Sequence, residues 1–162
     1  MSSTTAPLVT SRSRVLQAIL WGGFACGVLD ITAAFVVYGF FGAKPLRLLQ
    51  GIAAGVLGPR APAGGIATAA LGLFLHFVIA YGAATVYVVA SRWLRFLLQH
   101  ATVSGALYGV AVYFFMNRVV VPLSAARRNP FSIRMMVIGI VIHIFCVGLP
   151  ISTASRKYLS PR

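Results

Sequence analysis

Four stretches of this chain, residues 15–41, 66–90, 101–121 and 133–154, are predominantly apolar. Each is long enough to cross a bilayer as a helix, which takes about 20 residues. The only charged residues inside them are Asp30, Arg118 and, at the edge of the fourth, Arg134. This pattern excludes most folds. Hydrocarbon offers no partner to a backbone N–H or C=O, so long apolar runs must satisfy their own hydrogen bonds as helices. The balance of 59% hydrophobic to 9% charged residues points the same way, because a soluble domain carries about 25% charged residues and a soluble chain this apolar would expose large aggregating patches. The expected fold class is an all-α membrane protein with four transmembrane helices.

The segments between the runs refine this. Pro45 to Leu57 is apolar and begins at a proline, the residue best suited to the first turn of a helix. It is too short to span, so a short interfacial or re-entrant helix is expected after the first span. The sequence from Gly58 to Gly65 holds two prolines and three glycines, and it breaks that helix. Arg92, Trp93 and Arg95 form a basic and aromatic anchor for a helix end. Residues 1–14 are expected to be a disordered tail rich in Ser and Thr, residues 15–155 the transmembrane domain, and residues 156–162 a basic C-terminal tail. The first run is too long for the core of a signal peptide and holds Asp30, so it is read as a retained helix.

Fourteen Lys and Arg face a single acidic residue, giving a net charge of +13. Such a charge can signal nucleic acid. Here the basic residues fall between apolar runs and not along one face, so the lipid bilayer is the expected partner and nucleic acid is not. With four spans, Arg12, Arg14, Arg92, Arg95, Arg156, Lys157 and Arg162 share one side. Lys44, Arg47, Arg60, Arg127, Arg128 and Arg134 share the other. The positive-inside rule then slightly favours both termini in the cytoplasm. Cys26 and Cys146 lie within apolar runs, as small hydrophobes do, and their spacing matches no metal site.

One order of short motifs occurs twice. The first and third spans hold GxxxG followed by Val, at Gly23 and Gly27 and at Gly105 and Gly109. Each is followed by Pro-Leu, at Pro45 and Pro122. The second and fourth hold GxxxH, at Gly72 and His76 and at Gly139 and His143. The order suggests two repeated helical hairpins related by an axis along the membrane normal. It also makes these six glycines the expected helix-packing positions, because small residues let backbones approach closely in lipid.

Asp30, His76 and His143 share helix faces with small residues, so they are expected to point into the bundle. At about 1.5 Å per residue, Asp30 and His76 lie roughly 24 Å from one side and His143 about 20 Å from it. Asn117 and Arg118 fall near the same level. The expectation is a buried polar layer of Asp30, His76, His143, Asn117 and Arg118. An ionisable group inside a membrane is costly, and it marks either a pairing that holds helices together or a functional site.

No nucleophile–base pair, phosphate loop or metal constellation is present in the sequence, so an enzyme is not expected. Three roles fit what remains. The first is a non-enzymatic accessory or structural subunit, working as a homo-oligomer or in a larger membrane complex, with no cofactor. The second is a proton- or cation-coupled transporter with Asp30 as the coupling site and the histidines as relay or substrate contacts. The third is a haem b protein with His76 and His143 as axial ligands. A dry, packed core at Asp30 would favour the first, and a water-accessible cavity there the second.

The stretches Leu29-Asp30-Ile31-Thr32-Ala33-Ala34, Leu75-His76-Phe77 and Val120-Val121-Pro122-Leu123-Ser124-Ala125 resemble those of a family of small, functionally uncharacterised bacterial four-helix inner-membrane proteins. The resemblance covers residues 15–155 and implies a bacterial cytoplasmic membrane, but it carries no activity onto any residue. The lone carboxylate in the first of four helices is also similar to the pattern of small multidrug transporters. This chain departs from that pattern in its greater length and in having Asp in a different local motif.

Overall fold

The computed structural model describes residues 12–127 and 131–160. Four helical segments are long and apolar enough to cross a membrane: Arg12–Phe40, Pro45–Trp93, Ala101–Leu123 and Ile133–Leu159. Among the described residues every regular element is a helix. The chain thus has the architecture of a multi-pass membrane protein. We label Arg12–Phe40 α1, Pro45–Leu57 α2, Gly65–Trp93 α3, Ala101–Leu123 α4 and Ile133–Leu159 α5.

Helix ends follow local chemistry. Pro45 opens α2, where its missing N–H costs nothing. A tight 3₁₀ stretch, Gly58–Gly64, joins α2 to α3. It is bracketed by Gly58 at φ 64° and Gly65 at φ 58°, conformations that only glycine adopts without strain. Ser132 caps α5 by accepting from the Met135 backbone N–H at 3.5 Å. Two tail boundaries differ from expectation. Residues 12–14 already belong to α1, and α5 runs through Arg156 and Lys157 to Leu159. Packing between α1 and α5 at that end, centred on buried Ala18 and Leu159, extends both helices beyond their apolar runs. The tail at residues 1–11 lies outside the described residues.

In the bundle α1 packs against α3 and α5, and α4 packs mainly against α5. α2 lies along the first half of α3. Gly72 of α3 meets the Leu49 carbonyl so closely that a Cβ there would collide with it. Gln50 is 1% exposed and donates from Nε2 to the Gly65 carbonyl at 2.9 Å. At the terminal end of the bundle a buried cluster of Cys26, Ala80, Ala84, Tyr87, Val147 and Ile151 fills the interior. Tyr108 reaches from α4 to donate to the Ala83 carbonyl at 2.7 Å.

The six glycines of the GxxxG and GxxxH motifs meet different surfaces. A Cβ at Gly23 would strike the Tyr81 ring, and one at Gly27 the Phe77 ring. Gly105 faces Gly148 and Ser152, Gly109 faces the His143 backbone, and Gly139 faces the Tyr113 ring. In both hairpins the second glycine of GxxxG touches the histidine of GxxxH, but through different atoms. The His76 ring bonds the Gly27 carbonyl, whereas the His143 backbone lies on Gly109.

Two π-type turns interrupt the second hairpin, at Met116–Val120 in α4 and His143–Gly148 in α5. The Val121 N–H bonds the Met116 carbonyl, and the Leu149 N–H bonds the Ile144 carbonyl, each five residues back. A proline, Pro122 or Pro150, follows each turn after one residue. Proline lacks the N–H for the usual four-residue bond, and its ring crowds the carbonyl that would have accepted it. The widened turn relieves that crowding.

Candidate functional site: a cavity between four helices

Above the buried cluster the four long helices separate around a cavity of about 590 Å³. Its floor is formed by Cys26, Ala80 and Val147, which belong to the cluster below. Its other end carries Tyr38, Arg127, Phe131 and Ser132, all exposed. The cavity is thus open at the end of the bundle away from the termini. At that rim Arg134 lies over the Phe41 ring, 4.9 Å from its centre, linking the end of α1 to the start of α5.

Asp30, His76, Asn117, Arg118 and His143 all line this cavity. The expectation that they form a buried layer is corrected. Asp30, His76 and His143 are only partly buried, and Asn117 and Arg118 are exposed. The side chains aimed at the interior line open space, and three of them sit in the two widened turns. Asn117 and Arg118 fall within one of these turns, and His143 starts the other. The sequence signal for both turns was a proline in an apolar run.

The hydrogen bonds define what each group offers. His76 Nε2 lies 2.8 Å from the Gly27 carbonyl oxygen. A carbonyl only accepts, so this nitrogen carries the proton and Nδ1 is left unengaged. His143 Nδ1 lies 2.9 Å from the Gly139 carbonyl in its own helix, which leaves Nε2 unengaged. The His143 ring also packs edge-on against Tyr113, with centroids 5.4 Å apart. Asn117 donates to the Tyr113 carbonyl at 2.9 Å. Among the described residues the Asp30 carboxylate makes no hydrogen bond or ion pair, and no buried polar side-chain atom is left unpartnered. The carboxylate oxygens therefore reach the cavity.

A bis-histidine haem does not fit this arrangement. The Nε2 of His76, the nitrogen facing away from its own backbone, is committed to the Gly27 carbonyl. No cluster of three or more His, Cys, Asp or Glu suited to a metal ion occurs among the described residues. Cys26 and Cys146 are free thiols.

Sequence reasoning did not single out Gln50, Arg127, Phe131 or the wide turns. Gln50 left a faint trace as one of two polar residues, with Arg47, in a mostly apolar short helix. Arg127 and Phe131, between α4 and α5, join the cavity only in the folded chain.

No protein-family model, curated protein or solved structure matches this chain.

Proposed function

We propose that this chain is a small carrier of the bacterial cytoplasmic membrane, non-enzymatic, in which Asp30 binds the coupling proton or cation. The observation that carries this is the Asp30 carboxylate, the chain's single acidic residue, unpartnered among the described residues and opening into a cavity of about 590 Å³ between helices long enough to span a bilayer. A carboxylate deep in a membrane costs several kcal/mol, by roughly 2.5–3.5 on insertion scales. A purely structural role would offset that cost by pairing or tight packing, and among the described residues neither surrounds Asp30. The free Nδ1 of His76 and Nε2 of His143 suit them to relay protons or contact a solute. Closure on one side and access on the other is one of the two states an alternating carrier needs. The two proline-linked turns supply hinges. Both termini are assigned to the cytoplasm, α2 to the interface, and the two hairpins to a repeat.

A second reading, an accessory subunit in a homo-oligomer or larger complex, draws on Gly39, Gly51 and Gly82. All three are exposed with nothing within 4 Å of an added Cβ. Small residues on outer faces admit a partner helix.

Supported-membrane recordings on proteoliposomes, under imposed H⁺, Na⁺ or K⁺ gradients, separate the two. The carrier predicts currents that vanish in Asp30→Asn and persist, reduced, in Asp30→Glu. Currents unchanged by Asp30→Asn, or absent from wild type under every gradient, reject the carrier.

A further inference from the structure

On the outside of the bundle, α1 and α5 flank a separate, open groove of about 630 Å³. Trp21, Ala25 and Leu29, spaced four residues apart, form one wall, and Phe145 and Leu149 stand opposite. Its base is shallow because Gly22 lets α5 approach, with the Ile151 backbone and Ala154 Cβ each 3.5 Å from where a Cβ would sit. Trp21 and Phe145 are 57% and 62% exposed, so the walls project from the bundle. One end of the groove carries Lys157.

We infer that this groove binds an anionic phospholipid, its phosphate at Lys157 and an acyl chain lying along α1 and α5. Charge complementarity selects the anion. The chain's single acidic residue, Asp30, lines the inner cavity and cannot neutralise Lys157. The Lys157 ammonium instead stands over the Tyr158 ring, 5.5 Å from its centre, and adjacent Arg156 is exposed. Depth selects a lipid over a soluble anion. Phe145 and Lys157 are 12 residues apart in sequence, about 18 Å along a helix, close to one leaflet of a hydrocarbon core about 30 Å thick. The Thr153 hydroxyl, the polar group midway, is turned back onto the Leu149 and Pro150 carbonyls, so the groove wall stays apolar. The site is independent of the carrier reading.

The test is lipid titration of the purified full chain in neutral detergent, read by native mass spectrometry and thermal unfolding. Dioleoyl phosphatidylglycerol should bind about fivefold more tightly than dioleoyl phosphatidylcholine, the worth of one basic residue at an anionic surface. Lys157→Gln should lose the preference, and Lys157→Arg should keep it. Ala25→Trp, which fills the groove and leaves the charge in place, should lose it too. Unfolding in phosphatidylcholine checks that each variant is folded. Equal binding of the two lipids by wild type, or a preference that survives Lys157→Gln, overturns the inference. If glycerol phosphate without acyl chains competes as well as the lipid, the site is one for a soluble anion and the inference fails.

Discussion

The Nε2 of His76 in α3 lies 2.8 Å from the carbonyl oxygen of Gly27 in α1, so an imidazole bonds across the helix interface at a glycine. The contact exists because Gly27 has no side chain to hold the helices apart. Phe77, the next residue of α3, lies over the same glycine. This bond orients the histidine, and its other nitrogen is left for the cavity. His76→Ala should destabilise the protein by about 0.6 kcal/mol and by no more than about 1.7, the range for such bonds between membrane helices. Denaturant unfolding in mixed micelles measures it. A variant as stable as wild type would mean that the bond is not formed.

The cavity predicts a sharp gradient of chemical access. In a background with Cys26 and Cys146 replaced by Ser, a cysteine at Asn117 should react readily with a membrane-impermeant maleimide. A cysteine at Ala84, fully buried in the cluster below, should not react. Equal rates at the two positions would contradict a cavity closed on one side.

Gly148 and Gly82 should respond in opposite ways to a single methyl. A Cβ at Gly148 would run into the Gly105 carbonyl, whereas one at Gly82 meets nothing within 4 Å. Gly148→Ala should cost about 1–3 kcal/mol as α4 and α5 are forced apart. Gly82→Ala should be neutral or stabilise by up to ~1 kcal/mol, because it removes a flexible residue from a helix. Unfolding of the two variants side by side reads the difference directly.

The wide turn ahead of Pro150 should depend on that proline. Pro150→Ala restores an N–H able to bond the carbonyl four residues back and removes the ring that crowds it. A regular turn would shift the register between α5 and the cavity, because each helical residue turns by about 100°. His143→Cys should therefore label more slowly in the Pro150→Ala background than with Pro150 present. An unchanged rate would show that packing, not proline, holds the turn open.

The sequence alone determined the number of long helices and their approximate limits, because the length of an apolar run and the demand that each backbone group be paired leave little choice. It also marked Asp30, His76 and His143, since polar groups in such runs are few and share faces with small residues. Tertiary structure decided what surrounds them. The same face pattern serves a packed layer or a cavity wall, and only the separation of the helices tells the two apart. That separation is set by contacts between distant residues: Gly105 on Gly148 draws α4 and α5 together below the cavity, while Tyr38, Arg127, Phe131 and Ser132 stand exposed at its far end. Periodicity within one helix reports the direction of a side chain, and it carries no information on how far away the next helix stands.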